Sequence, residues 1–286
     1  MKRNRLLVNS GLGVSLALVL LTFFPAQVLG NNSWLNPGNR PSIHLELHKV
    51  DFTGDSETFK QSTMAVFLSG YIRITHNTNL VLELPFQHSS ISVSFNDPYF
   101  RDDSETKLGN LYAGLSWARN GSSPIVEIGV RPPIIGDDDL SIVSGYGVLA
   151  SMDRLESFVP KTYSLRVASG YRYVSAENVV IRAIGGATTI HTDLYDGETE
   201  VYFDHRVEVW ADLQGLFFGG AYAGRYLMTD DEDFRDRLSG QWMLAGGPKF
   251  GNLRPGINVV VPIGQNFWSS VNVVYGVNLS YFFPAK

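Results

Sequence analysis

The chain has 286 residues, a formal charge of −5 at neutral pH and no cysteine, and it is rich in Gly (28), Phe (17) and Tyr (13). The missing thiols exclude disulfide staples, thiolate metal sites and a lipid-modified N-terminal cysteine. The mildly acidic balance lacks the basic footprint of a nucleic-acid binder.

Residues 1–30 open with Lys2, Arg3 and Arg5, continue through the apolar run from Gly11 to Phe24 and close with PAQVLG, where Val28 and Gly30 suit the small-residue rule for cleavage. A secretory signal peptide is expected over 1–30, with 31–286 as one domain. The alternative, an N-terminal membrane anchor, meets an apolar run shorter than the ~18–20 residues of a spanning helix. No comparable uncharged apolar run follows. Membrane residence of the remainder would fall to strands, because only helices and closed barrels satisfy every backbone group in hydrocarbon.

From Ser42 onward the chain reads as about twelve alternating runs bounded by Gly, Pro, Asn, Asp or Ser clusters. In order they are a weak first run near Ile43 to Phe52, then Met64 to Thr75, Leu80 to Gln87, Gly109 to Ala118, Pro124 to Arg131, Thr162 to Val174, Val179 to Ile190, Glu200 to Leu213, Leu216 to Met228, Gln241 to Phe250, Gly256 to Pro262 and Ser270 to Phe283. The last is the clearest: Val271, Val273, Tyr275, Val277, Leu279, Tyr281 and Phe283 alternate with small or polar residues, over a length that suits the 9–11 residues of a spanning strand. Lying beside the C-terminus, it resembles the assembly signal of Gram-negative outer-membrane barrels, with Gly276, Leu279 and Tyr281 at matching positions. Val274 stands where that signal carries a polar residue, and Pro284, Ala285 and Lys286 follow the final aromatic.

The connections alternate in length. Short ones (76–79, 119–123, 175–178, 214–215, 251–255) take turns with longer ones (53–62, 88–108, 132–161, 191–199, 229–240), as periplasmic turns and external loops do in outer-membrane barrels. An even strand count puts both termini in the periplasm. The lipid face then carries Met64, Val66, Leu68, Ile72 and Ile74; Leu80, Leu82, Leu84 and Phe86; Leu111, Leu115 and Trp117; Val126, Ile128 and Val130; Tyr163, Leu165, Val167, Tyr171 and Tyr173; and Val201, Phe203, Val207 and Val209. Phe86, Tyr163 and Trp242 fall at the external rim, and Trp117, Tyr173, Phe250, Tyr281 and Phe283 at the periplasmic rim. His205 falls on the lipid face in this register without an explanation.

The opposite face carries charges of both signs, and Arg73, Glu83, Glu127, Arg131, Arg166, Arg172, Arg182, Arg206, Glu208 and Arg225 are the candidate lumen-lining or solute-binding residues. About eight strands make a barrel just filled by side chains, and sixteen leave an aqueous channel. Twelve therefore leaves a narrow pore or a salt-bridged plug open as alternatives. The longest connection, 132–161, is too apolar for a solvated loop. It is expected to fold inward at the external mouth on Ile142, Val143, Val148, Leu149, Leu155 and Phe158, as a constriction or as a cap without gating.

Acidic clusters mark the external connections: Asp97, Asp102, Asp103 and Glu105; Asp137 to Asp139; Asp230 to Asp233 with Asp236. Carboxylates can take Ca²⁺ or Mg²⁺ and so bridge to lipopolysaccharide, but no EF-hand order is present, and no metal site or cofactor is predicted. His44 and His48 share a strand face about 13 Å apart, too far to chelate one ion. His88 and Ser89 are neighbours on a strand and diverge, so no catalytic pair is predicted and the chain is expected not to be an enzyme.

The stretches LVLELPF (80–86), LGNLYAGLSWA (108–118) and SPIVEIGVRPPIIG (123–136) together resemble the outer-membrane transporters named for the MetA pathway of phenol degradation. Gly109-Asn110 replaces that family's Gly-Asp pair, and Pro132-Pro133 its Pro-Thr-Gly. The resemblance implies a barrel passing small solutes, aromatic or hydrophobic ones included, and transfers no site residue. The expectation is an all-β, closed antiparallel up-and-down barrel in the outer membrane of a Gram-negative bacterium, acting as a porin-like channel. The alternatives are a lipid-modifying barrel enzyme and a structural or adhesive barrel. Its partners would be membrane lipid and lipopolysaccharide, the barrel-assembly machinery and small solutes, with no nucleic acid.

Overall fold

The computed structural model describes residues 35–36, 40–53, 59–93, 103–136, 146–193, 197–229, 237–263 and 270–284. The signal-peptide expectation lies outside them. Thirteen strand segments run in chain order: β1 (Ser42–Phe52), β2 (Phe59–Arg73), β3 (Thr78–Val93), β4 (Asp103–Leu108), β5 (Tyr112–Ala118), β6 (Ser123–Arg131), β7 (Thr162–Val174), β8 (Val179–Thr192), β9 (Glu198–Asp212), β10 (Leu216–Leu227), β11 (Leu238–Pro248), β12 (Leu253–Ile263) and β13 (Val271–Phe282). Each pairs antiparallel with its neighbours. The first strand also pairs with the last, Leu45 opposite Leu279 and Leu47 opposite Val277, which closes the sheet.

β4 and β5 both pair with β3, the former against Phe86 to Ile91 and the latter against Thr78 to Glu83. They are two halves of one wall position, so the barrel has twelve strands. The sequence reading missed β4, whose DSETKL carries no apolar alternation, and it cut β3 short at Gln87. β2 and β3 stay paired as far as Phe59 opposite Val93, so with β4 they form a taller section of the wall on the long-loop side.

The pleat sends alternate residues to opposite faces, and the faces separate as the sequence predicts except at Val271, which a register shift opposite Asp51 and Phe52 turns to the buried side. In β13, Tyr275, Val277, Leu279 and Tyr281 are exposed while Val274, Asn278, Ser280 and Phe282 are buried. Exposed Leu68, Leu115, Val130, Leu165, Val207, Leu244 and Ile257 continue the outer belt. Turns of a few residues connect one end: Gly121, Gly215 and Gly251 take positive φ there, as does Asn178. No helix among the described residues is long and apolar enough to cross a membrane.

His205 finds its explanation on the outer face. It stacks on Phe203 (6.0 Å) and lies 5.6 Å from Tyr222. Gly224 supplies the space, since a Cβ there would stand 2.6 Å from the imidazole. The ring is one member of an aromatic cluster in the wall.

Candidate functional site

The barrel interior is filled by charge. On β8 and β9, Arg182 and Glu208 are direct cross-strand partners, and the guanidinium forks onto the carboxylate at 2.7 and 3.0 Å. Arg206, two residues before Glu208 and so on the same face, meets it at 2.8 Å. On β9 and β10, Asp204 faces Arg225, takes its Nε–H at 2.8 Å and pairs with Arg166 of β7 at 3.1 Å. Across the lumen, β1 and β3 contribute Glu46 and Glu83, the latter paired with Arg131 at 2.8 Å. The wall is therefore acidic on one side and arginine-rich on the other.

Between the two sides sits part of the connection from β6 to β7, folded inward as two 3-10 turns, Tyr146–Ala150 and Met152–Ser157. Its own charges are sorted to match. Arg154 faces the acidic side, bridging Glu46 and Glu83 at 3.0 Å each, with its guanidinium 3.8 Å over the Phe67 ring. Glu156 and Asp153 face the basic side, on Arg225 at 2.9 Å and Arg206 at 3.4 Å. Apolar contacts seat the rest: Leu149, Ala150 and Phe158 join a buried cluster with Val50, Phe52 and Phe67. His48 donates from Nδ1 to the Ala150 carbonyl at 3.0 Å and accepts the Asn258 amide at 3.0 Å on Nε2. The free space beside Asp153, Arg166, Arg206 and Arg225 is about 10 Å³, no more than the ~10–15 Å³ that one water needs.

Asn110, in the break between β4 and β5, ties this plug to the wall. Its side-chain carbonyl accepts the backbone N–H groups of Ile134 (2.8 Å) and Ile135 (3.1 Å), and its amide donates to the carbonyls of Glu156 (3.0 Å) and Val159 (2.7 Å). Two glycines permit the close approach. A Cβ at Gly109 would stand 2.4 Å from the Ser157 carbonyl oxygen, and one at Gly147 would stand 1.4 Å from the Gln87 amide oxygen.

Of the candidate lumen residues, Glu83, Glu127, Arg131, Arg166, Arg172, Arg182, Arg206, Glu208 and Arg225 are inward and buried. Arg73 is a correction: it ends β2 and is exposed, outside the buried set. Glu127 is buried yet makes no ion pair among the described residues. Arg172 lies apart from the network, bonding the turn carbonyls of Arg119 and, at 3.0 Å, Gly121. Sequence reasoning placed the inward fold and its apolar seat at Val148, Leu149 and Phe158; Ile142 and Val143 lie outside the described residues, as do most of the acidic clusters. It missed Arg154, Asp153, Glu156 and Asn110, which sit in or beside a connection with no alternation to assign them a face.

Burial works against the charged forms of Asp153 and Glu156. The guanidinium groups of Arg154 and Arg206 for the first, and of Arg225 and Arg131 for the second, outweigh it and hold both below the usual carboxylate range. A depressed carboxylate stabilises the folded state above its unfolded pKa, and that contribution is lost as pH falls through the lower, folded value. The plug should therefore stay seated from pH 8 to 5 and loosen only below about 4. Conductance recorded across this range checks it, and an opening step between pH 5 and 7 would contradict the pairing described.

The remaining sequence candidates are structural. His88 bonds Thr106 at 2.8 Å on the outer face while Ser89 points inward to Thr63 at 3.0 Å, so the two diverge as expected. His44 spans Ser42 and Ser280 at 2.7 Å each. Among the described residues no group of three or more His, Asp or Glu is arranged to hold a metal ion.

No family model matches the chain, and no curated protein matches its sequence. Solved structures do match in fold. The COG4313 outer membrane channel from Pseudomonas putida F1 aligns with a TM-score of 0.55 at 11% identity, covering 85% of this chain and 96% of that one. The translocator domain of the autotransporter NalP from Neisseria meningitidis aligns at 0.50 and 10%, covering 96% and 95%. LpxR from Salmonella typhimurium aligns at 0.43 and 11%, covering 85% and 100%. The expectation that the chain is not an enzyme does not stand, because barrel architecture by itself excludes no activity. What these likenesses establish is architecture, that of the Gram-negative outer-membrane β-barrels.

Proposed function

We propose that the protein is an outer-membrane channel for small solutes whose resting state is closed by the segment from Tyr146 to Phe158. One observation carries this reading: the groups that fill the mid-lumen come from a single inward-folded connection, held by ion pairs to opposite walls. Burying charge is a poor way to add stability, since apolar residues of similar volume do as well or better. An ionic seat has another use, because each charge released finds water or a counter-charge when the segment leaves. The wall exposed behind it would set Glu46 and Glu83, with Arg131 beside them, against Arg166, Arg182, Arg206 and Arg225 with Asp204 and Glu208 among them. That lining favours polar or charged solutes over the hydrophobic ones suggested by the family resemblance.

In this reading the outer belt contacts membrane lipid, the long connections face lipopolysaccharide, and β13 is the strand presented to the assembly machinery. The decisive experiment is single-channel recording in planar bilayers, comparing the native chain with a variant in which 146–158 is replaced by a Gly-Ser linker. The native protein should show brief or low-conductance events and the variant a sustained, larger conductance. Equal traces would remove the gating segment from the proposal, and silence in both would remove the channel.

A further inference from the structure

At the opposite, short-turn end of the barrel lies a separate cavity of about 240 Å³. Its charged lining is unbalanced. Arg40, Arg172 and Arg254 face it, with Asp212 as the one carboxylate among the described lining residues. That carboxylate is already shared between Arg254, at 2.7 Å, and Lys249. Arg172 is 2% exposed and already donates to the Arg119 and Gly121 carbonyls, whereas Arg254 is half-buried and Arg40 exposed. The Nε–H of Arg254 is buried with no acceptor, although it belongs to a charged group that ordinarily finds one. Arg40 precedes β1, and burial together with the neighbouring Arg254 cation pulls it below the usual arginine range, with Asp212 only partly offsetting this.

The rest of the lining is largely apolar, with Asn120, Asn178 and Ser280 as its uncharged polar side chains. Trp210 and Phe217 stack at 6.3 Å with an interplanar angle of 24°. Phe282 lies under two cations, Arg254 at 4.4 Å and Arg40 at 4.8 Å. Leu35 closes another side. A bare inorganic anion would satisfy the arginines and leave these rings idle. A neutral apolar molecule would do the reverse, leaving the surplus positive charge unmet in a partly desolvated pocket.

We infer that this cavity is a binding site for a small monocarboxylate carried on a compact apolar body. The carboxylate would accept from Arg254 Nε–H and from Arg40, as guanidinium forks suit planar carboxylates, and the body would lie against Trp210, Phe217 and Phe282. The site does not rest on the channel reading: its occupancy can be measured on a barrel that never conducts.

The test uses the full-length protein in a non-ionic detergent, titrated calorimetrically with benzoate as probe, and with benzamide and acetate as isosteric controls lacking the charge or the ring. Benzoate should bind saturably, and both controls should fall short by tenfold or more. Arg254→Gln should weaken benzoate about ten- to a hundredfold, the range for losing a hydrogen bond to a charged group. Arg40→Gln, which removes the second donor, should weaken benzoate as well. Saturable binding of benzamide as tight as benzoate, no saturable benzoate binding, or unchanged affinity in Arg254→Gln would each overturn the assignment.

Discussion

Arg154→Ala is expected to unseat the plug. The native guanidinium answers Glu46 and Glu83 together, from a position only 3% exposed. Truncation would leave Glu46 with no guanidinium partner among the described residues and Glu83 with Arg131 alone. Removing one member of a buried ion pair costs about 3–5 kcal/mol because the survivor stays uncompensated. At 1.4 kcal/mol per decade the equilibrium for leaving the lumen should shift by roughly two to three orders of magnitude. A thiol reporter reads this directly, since the native chain has no cysteine. Leu149→Cys, placed at a buried seat of the segment, should react slowly with a polar maleimide in the otherwise native protein and much faster beside Arg154→Ala. Arg154→Lys keeps the charge but not the fork, and should fall between them. Equal labelling in all three would mean that the ionic seat does not hold the segment.

Leu244→Arg should destabilise the barrel by about 2–4 kcal/mol, and Leu216→Arg by no more than about 1 kcal/mol, when both are measured by urea unfolding in phospholipid vesicles. The two leucines point outward and are 62% and 44% exposed. One lies in the middle of β11 and the other at the turn end of β10. Exposure alone therefore predicts no greater penalty at Leu244, whereas a hydrocarbon slab does, because an arginine at mid-depth cannot reach water and one at the rim can. Equal and small penalties would mean that the belt faces water, and every inside-outside assignment would go with it.

Much of this architecture is legible in the sequence because its determinants are local. The alternation in 271–283 states which residues face out over most of its length, and the short turns read at 175–178 and 214–215 state where strands reverse. β4 escaped because it has no lipid to meet: Asp103 to Leu108 is largely exposed and polar, so its pairing with β3 leaves no periodic trace. The plug was half legible. Leu149 and Phe158 betray an apolar seat, but the partners of Arg154 lie 108 and 71 residues away. Nothing in the order of residues says which charges of a mixed interior will meet. Asn110 was quoted only as a departure from a motif, while its four backbone partners sit 24 to 49 positions downstream.

The wall of this barrel is uneven in height. Beyond Phe86, β3 continues for seven residues with β2 on one flank and, as far as Ile91, β4 on the other, a length along the strand of about 23 Å at the usual rise per residue. With the long connections outward, as proposed, such a three-ribbon pier would stand in the sugar layer above the bilayer. A molecule approaching that quarter of the mouth would meet paired backbone and the polar side chains of β4 before it met the opening.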